Sequence, residues 1–230
     1  MPAPRLHVGY MGKTDLADEL ARVGHRTTPI TGGESLEPFD LIVIEQVWWA
    51  IPVLAEGMSQ RIRKGQMVLH TAVETGVQAL DPFEVNGAIV MAAHRVWKNY
   101  WVTSAADDVG ESVVNLLISE IGGNVTLIED RQRPAIKAAE RMRALSYEVN
   151  MDAYNILRRN IRAIEPDAVE FWGPEDEPMA DTIDVDELES IYGAIESTDI
   201  ATLYAALERR YASRNKLADQ ELWALGKRPM

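Results

Sequence analysis

The sequence predicts an α/β fold in which a parallel sheet with helices forms the N-terminal part and an all-α domain forms the C-terminal part. Short apolar runs alternate with amphipathic helical segments up to about residue 130, a pattern typical of parallel sheets. Beyond that point only helical periodicity remains. The 230 residues are enough for two small domains, which we place at 1–130 and 131–230.

The chain opens with a strand, a glycine-containing turn and an amphipathic helix. The apolar run Leu6–Tyr10 is the predicted strand, and Leu16, Leu20 and Val23 share one face of the helix, which Gly24 ends. A strand, turn and helix in this order are typical of the start of a dinucleotide-binding βαβ unit. The other elements predicted in this half are strands at 26–30, 40–44, 66–70, 88–92 and 124–128 and helices at 53–63, 76–80 and 109–121.

The segment between the second and third strands is unusually short. The third strand, Asp40–Ile44, is apolar after its first residue, as in a parallel strand that is covered on both faces. Only six residues separate Gly33 from Asp40, which leaves no room for a further helix and strand. We therefore expect one helix–strand unit that is usual in such folds to be missing.

The C-terminal half is predicted to be helical throughout. A long helix spans Pro134–Arg159, a proline- and acid-rich connection follows at 165–178, and Asp199 is the expected cap of a C-terminal helix. Two long helices are too few to bury their own apolar faces, so a homodimer is expected. The residues predicted to contact the partner are Met142, Leu145, Leu203 and Leu207.

Composition and charge exclude several classes of function. The chain has no cysteine, which excludes disulfides, thiolate catalysis and cysteine metal sites, and its four scattered histidines predict no metal site. The net charge is −13, and residues 163–207 contain 13 acids and no Lys or Arg. This block argues against nucleic acid and anionic membranes as partners. It is interpreted as a solvated acidic surface or, alternatively, as a docking surface for a basic partner.

The location is expected to be cytoplasmic. The sequence has no apolar run long enough to span a membrane, and its first residues lack the apolar stretch of a secretory signal.

The turn after the first strand is the predicted cofactor-binding segment, but its glycines depart from the G-x-G-x-x-G pattern. Gly9 and Gly12 are three residues apart, and Met11 and Thr14 follow where glycines are expected. The predicted cofactor-binding residues here are Gly9, Tyr10, Met11, Gly12, Lys13 and Thr14. The second strand ends without the acid that would bind a ribose 2′-hydroxyl, which leaves NADP preferred over NAD and dinucleotide binding itself open.

The order of elements and four short motifs resemble the 6-phosphogluconate dehydrogenase-like superfamily, and in particular an uncharacterised branch of Rossmann-like oxidoreductases with a helical C-terminal domain. The superfamily includes β-hydroxyacid dehydrogenases, prephenate dehydrogenase and imine reductases. The motifs are Val68–Thr71 with Gly76 and Leu80, Gly87–Val90 with His94, Glu129–Arg133 with Ile136–Ala139, and Gly193–Asp199 with Thr202.

The resemblance implies a hydride-transferring enzyme that uses NADP or NAD. It also implies a catalytic role for Lys137, because a lysine at the corresponding place in the hydroxyacid dehydrogenases transfers the proton of the substrate oxygen. The superfamily has asparagine four residues later, where this chain has Arg141. The alternative for Lys137 is an exposed side chain that pairs with Glu140 or Glu129.

Polar and aromatic side chains follow the predicted strand ends, where open α/β sheets bind ligands. Trp48, Trp49, Trp97 and Asn99 are the predicted substrate-binding residues. The alternative is that the tryptophans seal an interface. His94 is the predicted acid/base because histidine titrates near neutral pH, and His70 is a weaker candidate for cofactor binding. Either histidine could instead be structural.

Two functions remain open from the sequence. The first is an NAD(P)-dependent oxidoreductase that moves hydride between nicotinamide and a small carbonyl or imine substrate in a Trp-lined interdomain cleft. The alternative is a Rossmann-derived binding or assembly protein that has lost dinucleotide binding. A Rossmann transferase that uses another nucleotide, such as S-adenosylmethionine, has little support because no acid ends the second strand.

Overall fold

The computed structural model describes residues 5–161 and 183–227. The chain divides into two compact units, residues 1–133 and residues 134–230.

The first unit is built on a seven-stranded sheet with the strand order β2-β1-β3-β4-β5-β6-β7. All neighbouring strands are parallel except β5 and β6, which are antiparallel. The predicted fold class is thereby confirmed. The strands are β1 His7–Gly12, β2 Arg26–Pro29, β3 Leu41–Glu45, β4 Met67–His70, β5 Ile89–Trp97, β6 Tyr100–Ala105 and β7 Asn124–Leu127.

Helices cover both faces of the sheet, because the side chains of each buried strand alternate between two apolar cores. Leu16 and Val43 belong to the core on the side of α1 and α4, and Ile42 and Phe83 belong to the core on the side of α2 and α3. The helices of this unit are α1 Asp15–Arg22, α2 Ala50–Met58, α3 Asp81–Val85 and α4 Asp108–Glu120. Residues 30–40 contain no helix, so the crossover from β2 to β3 lacks the unit that the sequence also indicated was missing.

The strand that the sequence places at 88–92 is longer in the structure and opens a hairpin that sequence reasoning missed. β5 continues to Trp97, Lys98 turns the chain with a φ of 49°, and β6 returns antiparallel. Trp101 is buried in the core at 4% exposure, so the predicted end of the strand at residue 92 is wrong. A Lys-Asn turn lacks the glycine that would mark a hairpin in the sequence.

The second unit is helical. Its core contains Leu145, Leu188, Tyr204 and Trp223. Ser197, not Asp199, caps the helix that begins at Thr198, since its hydroxyl accepts from the Ile200 amide. In the part of this unit that the structure describes, the helices are α5 Arg133–Asn160, α6 Val185–Gly193, α7 Thr198–Asn215 and α8 Ala218–Gly226.

This core corrects one expectation about the C-terminal half and shows where Arg141 lies. Leu145 is already buried within the unit at 1% exposure, so it is not available to a partner copy, whereas Leu203 is half exposed. Arg141 is also buried, and its guanidinium donates to both carboxylate oxygens of Glu208 at 2.7 and 3.0 Å. The residue that stands where the superfamily has asparagine therefore belongs to the core of the helical unit.

The acidic connection at 165–178 lies outside the described residues. None of the helices in the described ranges is both long and apolar enough to cross a bilayer.

Candidate functional site

The carboxyl ends of β1, β3 and β4 meet at one edge of the sheet. Gly12 lies opposite Glu45, and Ile44 lies opposite His70. His94 lies two residues beyond Ala92, the partner of His70 in β5. Ligands of open α/β sheets bind outside such strand ends, so this edge is the candidate site.

β1 ends at Gly12, two residues later than the sequence indicated. Gly9, Tyr10 and Met11 are paired inside the sheet, so of the six predicted cofactor-binding residues in this segment only Gly12, Lys13 and Thr14 lie at the turn. A Cβ atom on Gly9 would lie 2.5 Å from Ile30 Cδ1, which shows that Gly9 is a packing glycine. Gly12 is the turn glycine, with a φ of +95° that side chains rarely adopt.

The G-x-G-x-x-G pattern is better preserved when it is counted from Gly12. The first, third and sixth positions are then Gly12, Thr14 and Ala17. Alanine is accepted at the last position, where the helix packs closely on the sheet, and Ala17 is buried. Thr14 is the one departure, because it stands where a second glycine lets the pyrophosphate approach the backbone. Lys13 and Gly12 are exposed.

Glu45 is one of the polar residues that the sequence places after a strand end, and its contact with the N-terminus of α1 was not predicted. Its Oε2 accepts from the Leu16 amide at 3.1 Å, and its side chain is buried with 8% exposure. Burial raises the pKa of Glu45 to about 7, although the bonds from the Leu16 and Ala17 amides act in the opposite direction. The signal in the sequence was an acid at the end of the apolar run Leu41–Ile44.

A second acid and a base lie beyond the end of β2. The Glu34 carboxylate accepts from the amides of Thr31 and Gly32, and a bond from the Thr31 hydroxyl, with these amides, lowers its pKa to about 2. The Arg61 guanidinium donates to the carbonyls of Gly32 and Glu34. The Arg61 guanidinium therefore lies beside the loop after β2, which is where a phosphate on the ribose 2′ position of a dinucleotide would be recognised.

The two candidate histidines differ in environment. His70 is fully buried and its Nε2 lies 3.0 Å from the Gly76 carbonyl oxygen. Burial lowers its pKa to about 4, so the ring is neutral at pH 7, and this placement supports a structural role rather than cofactor binding. His94 is half-buried, with Nδ1 2.9 Å from the Thr71 carbonyl oxygen at the end of β4.

The predicted substrate-binding residues fall into two places. Trp48 and Trp49 lie three and four residues after the end of β3 and are 38% and 63% exposed. Trp97 and Asn99 lie at the tip of the hairpin, where Trp97 stacks on Tyr100 with ring centroids 6.2 Å apart. Trp97 is five strand residues, or about 16 Å, beyond Ala92, which pairs with the last residue of β4.

Lys137 belongs to the second unit. It is half-buried on α5, one turn before Arg141. Within the described ranges, no group of three His, Asp or Glu side chains is arranged to hold a metal ion.

Three solved structures are similar to this chain along nearly its whole length. A Bacteroides fragilis protein assigned as an NADP oxidoreductase gives a TM-score of 0.60 at 14% identity, covering 97% of this chain and 96% of its own. Prephenate dehydrogenase from Aquifex aeolicus gives 0.58 at 11% identity and covers 96% of both chains. The 3-hydroxyisobutyrate dehydrogenase of Mycobacterium tuberculosis gives 0.53 at 8% identity, covering 96% of this chain and 93% of its own.

These likenesses show the fold, which is a Rossmann-like parallel sheet followed by a helical region, as predicted. The sequence matches no protein-family model and no curated protein.

Proposed function

We propose that this protein is an oxidoreductase that transfers hydride between NADP, or NAD, and a small carbonyl or imine substrate. The observation that carries the proposal is the N-terminus of α1, where the Leu16 amide binds a carboxylate beside the Gly12 turn. Helix amides in this position bind the pyrophosphate of a dinucleotide, and the carboxylate acts as a stand-in anion. The residues present therefore fit a dinucleotide pyrophosphate, provided that this carboxylate leaves the amides.

The preference for NADP now has a structural argument. Arg61 lies against the loop after β2, and Glu34 in the same loop is engaged by the amides of Thr31 and Gly32. A guanidinium favours a 2′-phosphate, whereas a carboxylate would favour a 2′-hydroxyl.

The chain's own residues would bind the substrate and move its proton, while the bound nicotinamide supplies or accepts the hydride. Trp48 and Trp49 offer exposed aromatic surface at the candidate edge, and Trp97 and Asn99 are the further substrate-binding candidates. His94 is the proposed acid/base, and the contact of its Nδ1 with the Thr71 carbonyl oxygen orients the ring at the end of β4. Lys137 is the proposed proton-transfer residue of the helical unit.

Titration with NADPH and NADH, followed by tryptophan fluorescence and calorimetry, tests the proposal directly. Saturable binding supports it, and no binding at millimolar ligand overturns it. In an assay with NADPH and a panel of small carbonyl and imine substrates, Lys137→Ala is expected to lower kcat by ~10²–10⁴-fold, the usual effect of removing a proton-transfer group. Arg143→Ala, an exposed residue of the same helix, is the matched control and should leave kcat unchanged.

The second candidate function is that of a Rossmann-derived binding or assembly protein that has lost dinucleotide binding. The specific observation in its favour is again Glu45, since its carboxylate already holds the amide that a phosphate would need. The same titrations separate the two candidates.

A homodimer is the remaining part of the proposal. On α7, Ile200 and Leu203 are 46% and 50% exposed, which is apolar surface that a partner copy could bury. Light scattering at micromolar concentration tests it, because a mass that stays at 25.7 kDa on concentration would exclude the dimer.

A further inference from the structure

The N-terminus of α1 carries an anion that belongs to the protein itself. The carboxylate of Glu45 accepts a hydrogen bond from the Leu16 amide at 3.1 Å, and the Ala17 amide also donates to it. These are the second and third residues of the helix, whose amides have no partner inside the helix. They are also the amides that point at phosphate in a dinucleotide-binding βαβ unit.

The backbone around Glu45 fixes the carboxylate in this position. Gly12 pairs with Glu45 in the ladder between β1 and β3, and the Lys13 amide donates to the Glu45 carbonyl at 3.1 Å. A Cβ atom on Gly12 would lie only 2.1 Å from that carbonyl oxygen, so the turn is closely packed on β3. Glu45 shares a face of β3 with Val43, and that face is covered by α1.

We propose that the Glu45 carboxylate is an intramolecular competitor of the dinucleotide pyrophosphate and that it sets the affinity of the site. The inference rests on the proposed function. Carboxylate and phosphate are both anions that need the amides of Leu16 and Ala17, and those amides cannot serve both at once. Two like charges at one helix N-terminus also repel, so dinucleotide binding requires that the side chain move away or lose its charge.

The test compares Glu45→Ala and Glu45→Gln with the unmodified protein, using calorimetry with NADPH and with inorganic pyrophosphate. Glu45→Ala removes both the charge and the competing acceptor, whereas Glu45→Gln keeps an acceptor oxygen without the charge. Asp107→Asn is the matched control, because Asp107 also places a carboxylate on a helix N-terminus, that of α4. α4 follows β6, which runs antiparallel to β5, so it begins at the other edge of the sheet.

Glu45→Ala is expected to bind NADPH and pyrophosphate at least about tenfold more tightly than the unmodified protein, and tenfold corresponds to about 1.4 kcal/mol. Glu45→Gln is expected to show a smaller gain in the same direction, and Asp107→Asn none. Circular dichroism confirms that each variant is folded. If Glu45→Ala does not fold, Glu45→Gln decides the question.

The outcomes separate this inference from the proposed function. Equal NADPH affinity in the unmodified protein and both Glu45 variants, or weaker binding in the variants, overturns the inference and leaves the proposed function standing. A gain for pyrophosphate without any binding of NADPH supports the competition but overturns the proposed function. No binding of either probe by any variant overturns both.

Discussion

The two units each bury a glutamate, and the two carboxylates are held in different ways. Glu45 in the α/β unit accepts from the Leu16 amide at the N-terminus of α1. Glu208 in the helical unit is fully buried and accepts two bonds from the Arg141 guanidinium. The same guanidinium lies 4.5 Å from the centroid of the Tyr211 ring, so an aromatic face covers the pair.

The difference shows which of the two groups can change its charge state or its position. Helix amides offer about half a unit charge, so burial still raises the pKa of Glu45 to about 7. Arg141 offers a full charge in a fixed, two-pronged geometry, and breaking such a buried pair leaves a charge without compensation. Glu208 is therefore a structural residue, while Glu45 is held by neutral backbone amides and is the group proposed to yield to a ligand.

The largest effect is expected from Glu208→Gln, which should lower the free energy of unfolding by about 3–5 kcal/mol because Arg141 would keep its charge in the core. Urea unfolding followed by circular dichroism measures the loss. The double variant Arg141→Met with Glu208→Met should recover most of it, since no charge is then buried. A loss below about 1 kcal/mol for Glu208→Gln would show that the pair behaves like an exposed one.

The same substitution at Glu45 is expected to act in the opposite direction. The pKa of Glu45 is raised from 4.5 to about 7 on folding, so the folded protein binds the proton more tightly and loses stability as the pH rises through this range. At pH 8, Glu45→Gln should therefore raise the free energy of unfolding by about 2 kcal/mol. Near pH 4 the gain should vanish, and a gain that is equal at both pH values would contradict the assignment.

The affinity for NADH should depend on pH through the protonation of the same carboxylate, Glu45. As the pH falls from 8 to 6, protonation removes the charge of Glu45 and NADH should bind up to about tenfold more tightly. The charged groups that flank the carboxylate are Lys13 and Asp15, with the ion pair of Glu19 and Arg95 further along the same helix. NADH is used because it lacks the titrating 2′-phosphate of NADPH. Glu45→Gln should show a flat profile, and an unchanged slope in that variant would exclude Glu45 as the group that titrates.

The sequence predicted the parallel sheet, its helices and the missing unit between β2 and β3 because those features depend on local periodicity. It did not predict the hairpin, since residues 94–101 contain no glycine turn and Trp101 reads equally well as a loop aromatic. The end of the first strand was placed at Tyr10 for a similar reason. Only the pairing of Gly12 with Glu45 shows that β1 extends past Tyr10 to Gly12.

The candidate site was harder to predict than the fold, because its main contact joins residues distant in the chain. Glu45, whose carboxylate lies at the N-terminus of α1, is 29 positions from Leu16, whose amide it binds. No spacing rule connects them, since a strand end and a helix start are brought together only by the register of the sheet. Lys137 and His94 stay predictions that depend on activity measurements.

The smallest effect is expected at the N-terminus of α4, which is the exposed counterpart of α1. Asp107 is exposed and caps its own helix, with a carboxylate oxygen 2.7 Å from the Gly110 amide. Asparagine caps a helix as well as aspartate does, so Asp107→Asn should change the free energy of unfolding by less than about 0.5 kcal/mol, and Asp107→Ala should lower it by ~1 kcal/mol. Urea unfolding measures both. A stabilisation by Asp107→Asn comparable with that of Glu45→Gln would mean that any helix-capping carboxylate in this protein opposes folding, and the contrast between α1 and α4 would then not depend on burial.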